Sequence, residues 1–355
     1  MTAASWVVTL VGAGVALGIV LVLVPLLRPL ALRVGLVDTP DERKRHDGAI
    51  PLVGGMAVFG GYMLALLIMG QKELWRVAEF WVWLGLLVLS LWDDIRHIKV
   101  GIRVLLQVLL IILLTAYSGM QLEQLGHLLG DRPLLLGNLA LPVTILGLIG
   151  IKNGINLIDG LDGLAGTQVL VVLFWFMVLA FDSHVTLLLM LCAPLAGAVL
   201  GFLVYNLRLP GRPARIFLGD HGSVFLGFTL GWFAVIGSQW QVPAFTPIEA
   251  VWVLGLPVLD TIRVMAARMA RGLSPFSPGR DHLHHLLLDC GLTSNGVVIV
   301  LLLASLAMGG VAWAGRLLGL SEMLLFAGFL ALSLVFFVGA QYLDRRLHPK
   351  ARIRG

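Results

Sequence analysis

Residues 153–163 read Asn-Gly-Ile-Asn-Leu-Ile-Asp-Gly-Leu-Asp-Gly. Two amides, Asn153 and Asn156, and two carboxylates, Asp159 and Asp162, recur at three-residue spacing, each carboxylate followed by a glycine. Oxygen-only groups of this kind suit a hard cation such as Mg²⁺, which normally arrives with phosphates. A glycine beside a carboxylate lets the backbone turn and a ligand come close. The plainer alternative is a glycine-rich helix end carrying a solvated Asp pair.

Four more polar stretches bear on that choice. Leu91-Trp92-Asp93-Asp94-Ile95-Arg96 puts adjacent carboxylates, Asp93 and Asp94, at the end of an apolar run. Like charges that close need a cation or basic partners, so the pair reads as a metal or general-base site, or as a helix terminus beside Arg96 and Lys99. The segment 38–55, DTPDERKRHDGAIPLVGG, clusters Arg43, Lys44, Arg45 and His46. That is a membrane anchor of the positive-inside kind or a cationic cradle for phosphate. Tyr205-Asn206 is followed by Arg208, Arg212 and Arg215, and then by FLGDHGS from Phe217, with Asp220 between a glycine and His221. A loop entering a helix is a place where anions bind. The segment 274–291 holds Arg280, Asp281, His282, His284 and His285. Three histidines suggest zinc first, but Arg280 among them opposes a metal, and reading of phosphate or sugar hydroxyls suits the set better. Helical neighbours point about 100° apart, so His282 and His285 are expected to face the site and His284 to brace the loop. Asp260 and Arg263, three apart, read as an ion pair on one helix face.

The elements that must position these groups are membrane spans. The chain has 355 residues, 59% hydrophobic and 13% charged, with mean hydropathy +0.95. Such usage is far from that of soluble domains, and apolar runs of spanning length recur throughout. The expected fold is an all-α polytopic membrane protein, one domain over 1–355. About eleven transmembrane helices are expected, near 3–27, 51–70, 77–92, 102–118, 134–152, 163–181, 185–205, 222–238, 248–268, 293–315 and 322–342. Of the 25 Lys and Arg, all but Lys72, Arg76, Arg132 and Arg316 fall on one side of that arrangement. The positive-inside rule then puts the N-terminus outside and the C-terminus in the cytoplasm. Every suggestive motif falls in the cytoplasmic segments, which makes the cytoplasmic face the expected active face. The outer segment 119–133 contains Asp131-Arg132-Pro133 and reads as a turn or small hairpin. The net charge of +5 lies mostly at helix ends and does not suggest nucleic acid. Cys192 and Cys290 are poorly placed for a disulfide. Carboxylates, cations and histidines around one membrane face suggest phosphoryl transfer to or from a lipid, where catalysis is mainly positioning and charge neutralisation. A transporter is the rival reading, but transporters gather polar groups near the midplane, and here only Asp260 is a candidate for that position.

Asp93-Asp94, NLIDGLDG, FLGDHGS and PGRDHLHH occur in this order over nearly the whole chain. On these motifs the sequence resembles the polyprenyl-phosphate N-acetylhexosamine-1-phosphate transferase family (MraY/WecA/TagO-like), nearest its WecA branch, the undecaprenyl-phosphate GlcNAc-1-phosphate transferases. The resemblance implies a plasma (inner) membrane enzyme of bacteria that joins an N-acetylhexosamine 1-phosphate from a UDP-sugar to polyprenyl phosphate, releases UMP and begins a lipid-linked cell-envelope glycan. It implies Mg²⁺, or Mn²⁺ in its place, and leaves room for a homodimer. It makes Asp220 the metal ligand, and Asp93, Asp94, Asp159 and Asp162 the catalytic carboxylates. It places Lys44, His46, Asn156, Asn206, Phe217, Arg280, His282, His284 and His285 against the substrates. His221 departs from the family, where many relatives carry a small or neutral residue.

Overall fold

The computed structural model describes residues 3–38, 48–70, 78–96, 98–208, 213–274, 279 and 281–347. Lys44, His46 and Arg280 lie outside them.

Among the described residues the chain is helical almost throughout, because a helix satisfies its own backbone where lipid offers no hydrogen bonds. The helices are α1 (Ala3–Val34), α2 (Gly54–Ile68), α3 (Ala78–Arg96), α4 (Val100–Ser118), α5 (Ala140–Ile158), α6 (Leu164–Asp182) and α7 (Thr186–Asn206). They continue with α8 (Asp220–Gln239), α9 (Pro247–Val253), α10 (Gly255–Ala270), α11 (Leu283–Asp289), α12 (Ser294–Leu317) and α13 (Glu322–Leu347). A two-stranded ribbon, β1 (Val37–Asp38) with β2 (Ile50–Pro51), pairs antiparallel in register Val37↔Pro51. The segment before α5 folds back as expected, with Leu125 N donating to Leu134 O and Leu134 N to Gly126 O.

The protein is a multi-pass membrane protein. Among the described residues eight helices are long and apolar enough to cross a bilayer, or nine if α9 and α10 count as one span. The remaining two expected spans coincide with α2, which is only 15 residues, and α3, which carries Glu79, Asp93 and Asp94. Helix α8 is the axis. Every residue from His221 to Ser238 is buried, and α2, α3, α5, α6, α7 and α9 all pack on it. Large apolar side chains of α1, α4, α12 and α13 face outward, as lipid-facing surfaces do.

Two boundaries differ from expectation in ways that matter for the site. The fifth span was expected to end at 152, yet α5 runs on to Ile158. Lys152 and Asn156 find partners on α4 and α8, so the helix continues without needing water. The ninth span was expected to be continuous over 248–268. It is instead bent by 78° between α9 and α10. Thr246 and Glu249 close a capping box on the short α9. Pro257, with no N–H to donate, then favours a fresh start at Gly255.

Candidate active site

The NLIDGLDG motif is the turn between α5 and α6. Asn156, in the last turn of α5, donates from Nδ2 to Asp220 Oδ1 (3.0 Å) and to Ser223 Oγ (2.8 Å) at the start of α8. It therefore straps two helix ends together and fixes one oxygen of Asp220. Asp159 follows as the C-cap of α5, and Gly163 is the N-cap of α6 at φ 80°, a conformation that favours glycine. Asp162 faces Arg208 Nε at 3.3 Å.

Asn206 has a different part from the expected substrate contact. It is buried, its Oδ1 accepts from Gly163 N (2.8 Å), and its Nδ2 donates to Ile216 O (2.9 Å). Both ends of the amide are thus spent on tying the Asp159–Asp162 turn to the loop that carries Phe217 and Asp220. That loop is held from its other side by the PLVGG stretch. Phe217 N donates to Pro51 O, Gly54 N to Phe217 O and Gly55 N to Leu218 O, each at 2.9 Å. Phe217 itself is half-buried.

The adjacent Asp93 and Asp94 diverge, because neighbours on a helix point about 100° apart. Asp93 is buried; it accepts from Ile98 N at 2.8 Å and pairs with Arg103 of α4. Asp94 turns toward α8 and meets Nδ1 of the fully buried His221 at 2.7 Å. His221 follows directly after Asp220, so Asp94 joins the Asp220 corner while Asp93 braces the turn from α3 to α4.

Residues that the sequence reading passed over complete this end of the bundle. Lys152 was counted only as a basic residue in a loop, yet it is buried in α5 and donates to Gln107 Oε1 of α4 at 2.7 Å. The charges of Arg103, Asp220 and Asp93 all reach it. The signals were present: Gln107 interrupts an apolar run, and Lys152 stands one helical turn before Asn156.

The site is dense in negative charge. Asp159 is half-buried, and burial, then the charges of Asp220 and Asp162, push its carboxyl from 3.8 up to about 7. Asp220, by contrast, is exposed. Among the described residues no three His, Cys, Asp or Glu side chains gather as a chelating group. The donors are one exposed carboxylate with a second within electrostatic reach. That set fits Mg²⁺, which holds one or two carboxylates, several waters and substrate phosphate, and not a closed cage.

The histidine loop meets the same turn. His282 is the N-cap of α11 in an extended conformation (φ −69°, ψ 154°), so helical spacing does not govern it. His284, expected to brace the loop, is buried and abuts the Asp turn. A Cβ on Gly160 would lie 2.4 Å from His284 Nε2. His285 is half-buried with its ring centroid 4.2 Å from that of His284. Asp260 pairs with Arg263 at 2.9 Å, as the spacing implied.

This geometry brings five motifs from across the sequence to one end of a helical membrane body. Comparison with known proteins agrees. The glycosyl transferase family 4 profile matches residues 77–238. Proteins named undecaprenyl-phosphate alpha-N-acetylglucosaminyl 1-phosphate transferase are similar along most of the chain. The one from Yersinia pestis is 36% identical over 315 residues, covering 87% of this chain and 85% of its own. That from Pasteurella multocida is 34% identical over 321 residues, 90% of this chain and 89% of its own. That from Salmonella typhi is 33% identical over 290 residues, 81% and 78%. The chain belongs to glycosyl transferase family 4, among the relatives that bear this transferase name.

Proposed function

We propose that the chain transfers GlcNAc 1-phosphate from UDP-GlcNAc to undecaprenyl phosphate. The reaction would take place at the cytoplasmic face of a bacterial inner membrane, in a bundle of eleven spans with the N-terminus outside. A lipid phosphate oxygen attacks the β-phosphorus, the bond from that phosphorus to the bridging oxygen breaks, and UMP leaves with the electron pair. No proton need be removed from most of the nucleophile, since a phosphate monoester has its second pKa near about 6. Mg²⁺ or Mn²⁺, held by Asp220, would neutralise charge on the diphosphate and on departing UMP.

The chain's own residues then have positional tasks. Asn156 orients Asp220. Asp94, through His221, fixes the start of α8. Arg103 and Lys152 balance anionic charge on the α4–α5 side. The histidines approach the Asp turn from the other side, where a bound sugar phosphate would meet them. The observation that carries this reading is the convergence of the Asp94, Asn156–Asp162, Asp220 and His284 stretches on one helix-bundle end. The resemblance and the names of the relatives supply the substrates.

The test uses membranes or purified protein with UDP-GlcNAc and Mg²⁺. UMP should be released only when undecaprenyl phosphate is added. A panel of UDP-sugars then reads the sugar preference. Sugar uptake into vesicles without UMP release would sink the transferase reading in favour of a transporter.

A further inference from the structure

Asp260 lies in the body of α10, 4% exposed, where an unpaired charge is costly. Arg263, one turn on, neutralises it, and a plain structural ion pair would need nothing more. The carboxylate does more. Oδ1 accepts from Arg263 and also from the backbone of Leu283 at 3.0 Å, while Oδ2 meets His282 Nδ1 at 2.9 Å. Around it, α10 grips the entry to α11 at successive residues. Arg263 donates to Asp281 O, and Arg268 Nε meets Asp281 Oδ2 at 3.2 Å.

This grip determines the chemistry of His282. An ionised carboxylate is only an acceptor, so Nδ1 must carry the proton. Nε2 is then the one atom of the ring left for a ligand. His282 is 4% exposed, and its Nε2 is buried with no partner among the described residues. A buried polar nitrogen left unmet is unfavourable, and since Nε2 is the accepting end of this tautomer, a substrate hydroxyl would donate to it. The ring lies parallel to that of His284, at 8° with centroids 6.0 Å apart, and His284 abuts Gly160 of the Asp159–Asp162 turn. His282 therefore stands one ring away from the carboxylates.

We propose that Asp260 is a positioning residue for the transfer reaction, acting through His282 by fixing its tautomer and ring direction so that Nε2 is presented as an acceptor to a hydroxyl of the sugar. The proposal rests on the reading above in which the histidine loop meets substrate. It adds a role for a span residue whose spacing favoured an ion pair with Arg263 over a direct catalytic part.

Asp260→Asn tests it. An amide has one acceptor oxygen and cannot hold His282, Arg263 and Leu283 together, so His282 is released to the other tautomer. In the full chain, kcat with UDP-GlcNAc and undecaprenyl phosphate should fall on the order of 10- to 100-fold, while inhibition by UMP stays within about twofold. The loss should be non-additive: in the Asp260→Asn, His282→Ala double variant, kcat should equal that of His282→Ala alone. A merely structural brace would give additive losses, or would weaken UMP inhibition in parallel, and either result overturns the proposal. If Asp260→Asn does not yield folded protein by size exclusion, Asp260→Glu keeps the charge and displaces the carboxylate by one methylene. It should lower kcat with the same non-additivity, and wild-type kcat or additivity there overturns the proposal equally. Failure of the wild-type chain to release UMP would instead sink the transferase reading before any variant is compared. Wild-type kcat in His282→Ala would remove the substrate role of that residue and the proposal with it.

Discussion

Asp159 is the residue whose environment is hardest to explain without a counter-charge. Burial and then the charges of Asp220 and Asp162 push its carboxyl up to about 7. A cation prefers the ionised form, so binding a cation should expel a proton whenever Asp159 is protonated. The sign follows: above about 7 the proton is already gone and affinity is at its full value, and as pH falls below it the affinity weakens. One coupled proton gives about a tenfold loss per pH unit. Mg²⁺ titrations of UMP release at pH 6, 7 and 8 should show the half-saturating concentration falling as pH rises. Asp159→Asn should flatten that trend, and a trend unchanged in the variant assigns the proton to the substrates. His284 carries the second residue-scale expectation. Because it abuts Gly160, His284→Ala should lower kcat/KM by about 10- to 100-fold, no less than His282→Ala. Near-normal steady-state kinetics of His284→Ala would return that histidine to a bracing role.

At the scale of elements, the site is a set of helix ends fastened by side chains that do not themselves face substrate. Asn206 is the clearest. Placed at the last residue of α7, it reaches the N-cap of α6 and the loop before α8 together. Asn206→Ala leaves a backbone N–H and a carbonyl unmet in a buried place, at a cost of roughly 1–3 kcal/mol. Thermal unfolding in detergent should therefore shift downward, and kcat should fall because the Asp162 and Asp220 loops lose register. Asn206→Asp restores only the acceptor for Gly163, so it should recover part of the stability. Full activity with lowered stability in Asn206→Ala would show that the loops keep register without it.

Over the whole molecule the two ends of the bundle differ in kind. At the site end, His221 and His282 keep buried nitrogens without partners among the described residues, and Asp220 is exposed. At the far end Arg316 makes a dense set of bonds. Arg316 donates to both oxygens of the buried Glu249 (2.8 and 2.7 Å), to Leu179 O, to Ser183 Oγ and to Ala244 O. This is a lock among α6, α9 and α12, and α10 leads from it to the histidine loop. Removing one partner of a buried pair typically costs about 3–5 kcal/mol. Arg316→Ala should therefore lower the unfolding temperature more than Asn206→Ala while leaving KM for UDP-GlcNAc near its wild-type value. A raised KM with unchanged unfolding would mean that the lock tunes the site. The two ends should also lie on opposite sides of the membrane. Helix α6 separates Asp162 from Ser183 by about 28 Å at 1.5 Å per residue. A reporter after Gly355 should read cytoplasm and one inserted at Ser183 should read outside, whereas a cytoplasmic signal at Ser183 would break the proposed orientation.

The class of protein and the identity of the motifs were legible in the chain itself. Apolar runs of spanning length admit no soluble fold, and Asp93-Asp94, NLIDGLDG, FLGDHGS and HLHH announce themselves as polar groups where lipid makes them costly. The use of each residue was not legible. Asp93 and Asp94 are one step apart in sequence, yet α4 supplies a partner for one and α8 for the other. Lys152 looked like a loop cation until Gln107, 45 residues away, gave it a place inside the bundle. His284 reaches the Asp turn although spacing gave it a bracing part, and His282 owes its direction to Asp260, 22 residues upstream, which holds it in an extended cap. Hydropathy and local spacing act within a few turns of one helix, so they determine which segments cross and which residues stand out. Partner choice depends on which helix ends meet, and that is decided by packing around α8.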